Sequence, residues 1–391
     1  MSFLFNRNKQ KPPQDVVRSL TEALPKLESP SGDKRKVTEE VSRNLQQMKL
    51  ILTGDEDEDP QPALVAALAS EMHQTELFTQ LATSLRALDF AARKDVVLIF
   101  NTLLRRRVGD RSPTVDYLAQ HPRIFEILIL SYDNHDSALT AGEILRDCNK
   151  WEPLSKIIIW SPQLWKFFEY VDHQIFQNAT DAFGSLSDIV TVHQAVAGEF
   201  LAANKEKFIV NINKLMQSSN YVTRRQSLKL MAVLIRQRAN YPFMTTYVNE
   251  VENLKLIMML LRDKSKNIVI EAFNIFKLFA ANPKKPKPVS DVLLKNKARL
   301  ISFLTNLETD KKDDDEKDFV IKAISSLQPT VTPGSSPSPS PQSHSPTHNS
   351  GHHHHQAHTQ PGSGLSMLTP APSLPPPVVH SEPVLRQNYP E

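Results

Sequence analysis

The sequence predicts an all-α fold, a single solenoid of stacked helices from about residue 14 to residue 329. Three observations predict it. Apolar residues recur at helical spacing in almost every segment, as in Leu228-Met231-Leu234-Ile235, Leu254-Ile257-Met258-Leu261 and Ile268-Ala272-Ile275-Phe276-Phe279. A two-residue mark recurs at Val97-Leu98, Ala138-Leu139, Ala182-Phe183, Ser227-Leu228 and Ala272-Phe273, with separations of 41, 44, 45 and 45 residues. That period falls in the armadillo- and HEAT-like range. Strand signals are nearly absent: Lys156–Trp160 is the best candidate, and its helical setting argues for a buried helix segment instead.

The elements follow in order. Residues 1–13 form a basic leader with a small apolar plug, Phe3-Leu4-Phe5, either frayed or docked on the first helices. Val16, Leu20, Leu24 and Leu27 place one helix before the breaker at Ser29-Pro30-Ser31-Gly32. Val41, Leu45, Met48 and Leu52 mark a second, over Val37 to Leu52. Residues 55–60 are an acidic connector; the carboxylates are contiguous and lack the alternating spacing and central glycine of a calcium loop. Shorter helices are expected at 64–72 and 76–88. The repeats then run on, with turns at Gly109-Asp110, Asp133-Asn134, Ser161-Pro162, Ser218-Ser219-Asn220 and Asp263-Lys264-Ser265. The first residue is small at the last four marks and only moderately so at Val97; a small residue there lets neighbouring helices approach, and the larger second residue fills the layer between repeats. After Asn282-Pro283, one amphipathic helix is expected over Val289–Leu307, then a charged loop over 310–317 and a last helix over Phe319–Leu327. Residues 330–391, rich in Ser, Pro, His, Gln and Thr, carry no apolar face and are expected to be disordered.

Composition bounds the function. With 391 residues and 40% apolar content the chain can bury a large core, and a formal charge of +3 gives no support to a nucleic-acid binder. One cysteine excludes an internal disulfide framework and fits a reducing compartment. No apolar run reaches membrane-spanning length, so no membrane insertion is expected. The 10 glycines are scattered, which argues against a phosphate-cradling loop.

Catalytic chemistry has few residues to draw on. His73, His121, His135, His173 and His193 lack a second ligand at metal spacing, and Cys148 sits on a helical run where core is its ordinary role. The tract His352–His355 offers no fixed geometry, so no cofactor and no metal is expected. Ser336, Ser338, Ser340 and Ser345 each precede a proline and are candidate phosphorylation sites; Pro375-Pro376-Pro377 could serve as a polyproline ligand. The basic clusters Arg105-Arg106-Arg107 and Arg224-Arg225 either offset helix dipoles or grip a partner's carboxylates. Arg225, Lys229 and Arg236 share a helical face, as do Lys255 and Met258. Cations beside a thioether suit a peptide that is both acidic and aromatic.

The blocks VTEEVSRNLQQMK, KDVVLIFNTLLRR, PTVDYL, EPLSKIIIWS, TDAFGSL, NYVTRRQSLKL, ENLKLIMMLLRDKSKNI and EAFNIFKLFAANP closely resemble the Mo-twenty-five, or calcium-binding-protein-thirty-nine-like, family of scaffold proteins. The likeness runs from Met1 to about Leu327, and the long tail beyond it looks like that of filamentous-fungal members. The resemblance implies a helical-repeat adaptor, not an enzyme. Such adaptors bind Sterile-twenty-type protein kinases or a related pseudokinase and hold them active. In animals the pseudokinase complex also activates the liver kinase B tumour suppressor. In fungi the family serves an Ndr-kinase network that controls polarity, cell separation and conidiation. It implies a cytoplasmic location, enriched at sites of polarised growth or septa. It also assigns residues. Arg225, Lys229, Lys255 and Met258 match a pocket for a Trp-Glu-Phe-like C-terminal peptide. Phe176, Arg238 and Tyr241 match a concave kinase-binding face. Tyr241 stands where the family usually has phenylalanine, and Pro242 also departs. A rival reading is a solenoid cargo adaptor of the nuclear-transport kind, which would need an acidic or Trp/Asn-lined face. A third is an enzyme of unknown type, which would need a converged polar pocket.

Overall fold

Prolines and short polar side chains start the helices where the chain must turn. Pro13, Pro62 and Pro113 each occupy the first helical position, where a missing N–H costs nothing. Asp89 Oδ1 accepts from Ala92 N–H, and Asn134 and Asn220 each accept from two first-turn N–H groups. A computed structural model describes residues 11–29, 33–55, 59–172, 174–308 and 314–328. Residues 1–331 form one unit. The expected disorder of residues 330–391, and the apolar plug at Phe3-Leu4-Phe5, lie outside the described residues.

Twenty α-helices are present among the described residues, and no strand beyond an isolated bridge between Val108 and Arg111. They begin with α1 (Pro13–Ala23), α2 (Lys34–Thr53), α3 (Pro62–His73) and α4 (Leu77–Ser84). Next come α5 (Phe90–Arg105), α6 (Pro113–Ala119), α7 (Arg123–Leu130), α8 (His135–Asn149), α9 (Glu152–Ile159) and α10 (Phe167–Tyr170). The middle of the chain gives α11 (Phe176–Thr191), α12 (Gln194–Ala203), α13 (Lys205–Met216), α14 (Tyr221–Leu234) and α15 (Tyr241–Asn249). Last are α16 (Val251–Leu260), α17 (Lys266–Ala281), α18 (Lys287–Lys295), α19 (Lys297–Thr305) and α20 (Asp314–Ser325).

Every third helix packs on the one three before it, which gives three rows. The first row is α2–α5–α8–α11–α14–α17–α20, and the second is α3–α6–α9–α12–α15. The third runs α1–α4–α7, then through the 3-10 turn Pro162–Lys166 to α10 and α13. Three helices per repeat is the armadillo arrangement, so the predicted all-α, armadillo-like helical-repeat fold is borne out.

The five sequence marks all fall on first-row helices. Ala138, Ala182, Ser227 and Ala272 are fully buried where those helices cross, as their small size predicts. In α5 the equivalent buried position is Val96, with Val97 half-buried, so the mark is one residue out of register there. The second mark residue does not always fill the layer. Leu228 and Phe273 are buried, Phe183 is half-buried and Leu139 is 41% exposed.

Two elements differ from expectation. The run Val289–Leu307 is two helices, because the backbone leaves the helical conformation at Asn296 (φ −102°, ψ 6°), where the backbone N–H and the side-chain Nδ2 both donate to Val292 O. The last helix begins at Asp314, with Asp314, Asp315 and Glu316 in its first turn, so part of the expected loop is helical. The segment Lys156–Trp160 is helical through Ile159, as read.

First-row helices run in the same direction, as the pairs Asn178–His135, Asn149–Asp188 and Asn267–Tyr221 require. The α8–α11 crossing is the most intimate of the row and the α11–α14 crossing the least. A buried polar cluster draws α11 toward α8. Arg146 donates to Asp181 Oδ1 and Ser185 Oγ at 2.7 Å each, and Tyr132 donates to Asp181 Oδ2 at 2.6 Å. The opposite side of α11 is left open.

Candidate functional site

The gap between α11 and α14 is a groove of about 450 Å³ along most of both helices. Phe176, Ala179, Phe183, Gly184 and Asp188 line one wall; Val222, Gln226, Lys229, Leu230 and Val233 line the other. A Cβ at Gly184 would meet nothing within 4 Å, so the groove is open at its middle. The Phe176 ring is 61% exposed at the first residue of α11, beside the N-terminal turn of α14. Burial raises the Asp188 carboxyl above its usual range, against the opposing pull of Arg146 and Lys150. The surface is apolar, with one cation and one carboxylate at its margins.

A second groove of about 1010 Å³ lies between α16, α18 and α19. Met258, Leu261, Val292, Leu300 and Phe303 give it an apolar floor, while Lys255, Arg262, Lys295 and Arg299 stand around it, and no acidic residue lines it.

The seven expected site residues distribute over these features in an order that differs from the one expected. Lys229 lines the first groove together with Phe176, while Lys255 and Met258 line the second. Arg225, exposed on α14, lines neither. The four residues expected to hold a peptide therefore do not share one cavity. Lys255 is engaged by Glu252 at 2.6 Å, whereas Arg225, Lys229 and Arg238 enter no ion pair among the described residues. Met258 is half-buried against the core and also faces the second groove, so it serves both roles. Arg236 falls beyond the end of α14 and donates to Ala232 O, so it does not continue the Arg225–Lys229 face. The Arg224-Arg225 pair divides: Arg224 bonds Ser218 O and Asp263, a structural role, and Arg225 is left free.

Arg238 and Tyr241 sit on the connection that follows α14. The 3-10 turn Arg238–Asn240 presses on α12 where a Cβ at Gly198 would lie 2.7 Å from Ala239 O. Asn240 is fully buried and ties the turn with bonds from Nδ2 to Leu234 O and Gln237 Oε1. Arg238 is thus exposed, and Tyr241 is 65% exposed, on a rigidly held turn. Phe176 marks one end of the α11–α14 groove and this turn follows the other end, about 20 Å away along a helix of that length.

Sequence reasoning missed Phe183, Arg262, Lys295, Arg299 and Phe303. The last three were hidden by reading α18 and α19 as one helix. Phe183 reads as core in the sequence because an apolar residue at helical spacing carries the same signal in either place.

Elsewhere, Cys148 is fully buried, and burial pushes its thiol pKa far up, which leaves it inert. His73 bonds Thr114 Oγ1 through Nε2 and stacks on Tyr117, a packing role. Among the described residues no three metal-ligating side chains come together, and no helix is long and apolar enough to cross a membrane. His173 and the tract His352–His355 lie outside the described residues.

Comparison with known proteins adds the following. A family profile described as Mo25-like matches residues 3–328. A Mo25-like protein of Schizosaccharomyces pombe is 45% identical over 331 residues, covering 84% of this chain and 100% of that protein. The Calcium-binding protein 39-like protein of Homo sapiens is 44% identical, covering 84% and 98%. The Conidiophore development protein hymA of Emericella nidulans is 35% identical over 360 residues, covering 84% and 94%.

Proposed function

The chain belongs to the Mo25-like family, a family of helical scaffolds, and from that premise we propose that it binds a Sterile-twenty-type protein kinase or a related pseudokinase and holds it in its active conformation. On this reading it acts in the cytoplasm within an Ndr-kinase network that governs polarity, cell separation and conidiophore development. The observation that carries the reading is the α11–α14 groove, with an exposed phenylalanine at one end and a braced Arg-Tyr turn beyond the other. Such a surface offers aromatic anchors and a free guanidinium on rigid supports, the features that concentrate binding energy at protein interfaces. It holds no converged nucleophile and base.

The kinase domain engages Phe176, Arg238 and Tyr241. A partner's acidic, aromatic C-terminal peptide engages the cations at 225, 229 and 255 and the thioether of Met258. Because Lys255 and Met258 lie in a groove apart from Phe176, Arg238 and Tyr241, one partner can hold both at once, and the tethered second contact gains from high effective concentration. Activation follows if the active kinase conformation fits the first groove better. A tenfold shift in population needs about 1.4 kcal/mol of differential affinity. The hydroxyl of Tyr241 stays in water or finds an acceptor on the partner.

The test is phosphotransfer by a purified fungal Sterile-twenty-type kinase with and without the protein. A rise in rate that is lost in Arg238→Ala supports the reading; an unchanged rate with no complex formed removes it. The acid-free second groove speaks against the nuclear cargo reading, since a basic signal peptide would be repelled there. Arg225→Glu separates the two: it should weaken an acidic peptide about tenfold and leave a basic one unaffected or better bound.

A further inference from the structure

The end of α11 is charged the wrong way for a helix. A helix C-terminus carries partial negative charge on its unpaired carbonyls, and cations are the residues that offset it. The last turn of α11 holds no basic residue and holds a carboxylate instead, Asp188. That carboxylate lines the α11–α14 groove.

Nothing in the fold answers the charge directly. The Asp188 side chain enters no hydrogen bond and no ion pair among the described residues. Arg146 and Lys150 of α8 attract it through space, but Arg146 donates to Asp181 and Ser185, and Lys150 is held by Asp147. The neighbouring hydroxyl of Thr191 donates to Ser187 O. On the facing wall the only cation is Lys229. The two helices start level, with Phe176 beside the first turn of α14, so Lys229 stands opposite Gly184. Asp188 lies one turn further along, about 6 Å, and no ion pair joins the two. Burial keeps the Asp188 carboxyl above its usual range in spite of the α8 cations. The ionised form is therefore a burden on the folded chain alone, and a charge that the fold does not use points to a partner.

A partner seated on Phe183, Leu230 and Val233 takes still more water from Asp188. A covered carboxylate with no counter-charge is strongly unfavourable, whereas one joined to a guanidinium or ammonium with good geometry is not. The same side chain thus rejects a partner that sets an apolar or acidic group there and admits one that sets a cation there. We propose that Asp188 is a specificity-determining residue of the α11–α14 groove, and that it takes an arginine or lysine presented by the kinase domain. This deepens the function proposed above and rests on it. The cation answers both the carboxylate and the negative end of α11, so one contact balances two features at once.

The experiment measures the affinity of the full chain and its Asp188 variants for the purified fungal Sterile-twenty-type kinase. Asp188→Asn should bind about tenfold more weakly, Asp188→Lys more weakly still, and Asp188→Glu should recover part of the loss. Binding by Asp188→Asn should also depend less on salt than binding by the parent. The melting temperature of Asp188→Asn should equal or exceed the parent's, because the charge removed is one the fold does not use. A binding loss that only tracks a lower melting temperature overturns the assignment. Replacing the kinase's surface lysines and arginines one at a time by glutamate should find a position that binds Asp188→Lys better than it binds the parent. The absence of any such position overturns the pairing. If the parent binds and both Asp188→Asn and Asp188→Lys bind as well, the role of Asp188 falls and the function reading stands. If the parent itself does not bind the kinase, both fall.

Discussion

Gly142 leaves almost no slack between α8 and α11. A Cβ there would lie 2.0 Å from Asp181 Oδ2 and 2.2 Å from the Tyr132 hydroxyl, so no side chain fits while the Arg146–Asp181–Tyr132 cluster is intact. Gly142→Ala should therefore destabilise the fold by about 2 kcal/mol or more, even though alanine favours helix, and a denaturant melt measures it. A gain in stability would mean the cluster is not held as described. Asp181→Ala should cost about 3–5 kcal/mol, because it strands the half-buried Arg146 guanidinium. His73 gives a pH dependence. Burial, with Arg106 nearby, lowers its pKa below 6.5, and Thr114, Tyr117 and Phe78 surround it. The unfolded chain takes up this proton first, so stability is full above about pH 6.5 and falls as pH drops through 6.5 toward the folded value. The melting temperature should decline between pH 7 and pH 5.5, and His73→Gln should flatten that decline.

At the scale of helices, the same sequence signal led to different places. Ala138, Ala182, Ser227 and Ala272 were legible as crossing points because a small buried residue at a fixed period has one use, close approach of two helices. Their larger neighbours were not legible, since whether Phe183 meets core or open groove depends on how far α14 stands from α11. That distance is set by polar bonds from α11 back to α8, between residues 35 to 49 positions apart in sequence. The site was legible in the same partial way. The face shared by Arg225 and Lys229, and the one shared by Lys255 and Met258, followed from helical spacing. How α14 and α16 turn relative to each other did not, and so the four residues were expected in one pocket. Gly184 gives the test at this scale. Its Cβ position is open, so Gly184→Leu should fold as well as the parent or gain about 0.5–1 kcal/mol from helix propensity. The same side chain would fill the middle of the groove, and kinase-domain binding should fall at least tenfold. Normal binding by a stable Gly184→Leu protein would place the kinase elsewhere.

Over the whole repeat unit, stability is the sum of contacts between neighbouring helices, and the weakest link in the first row is the α11–α14 step. The second and third rows continue past it through α12 and α13, so the unit stays joined while this step has the least to hold it. A partner seated across the groove touches both walls and adds what the row lacks there. Anything that binds the folded form alone at a hundred times its dissociation constant stabilises it by about 2.7 kcal/mol. If the groove is the seat of the kinase domain, that gain should be shared between α11 and α14 and reach outward from them, because each helix protects its neighbour. An acidic C-terminal peptide, held by the cations of α14 and by Lys255 and Met258 of α16, should instead slow exchange in those two helices and leave α11 as it was. Amide hydrogen exchange separates the two. With the kinase domain bound, protection should rise in 176–191 and 221–234 together; with the peptide alone, it should rise in 221–234 and 251–262 while 176–191 stays unchanged. No gain in 176–191 in either case would leave the first groove without an occupant and transfer the docking of the kinase to the C-terminal helices.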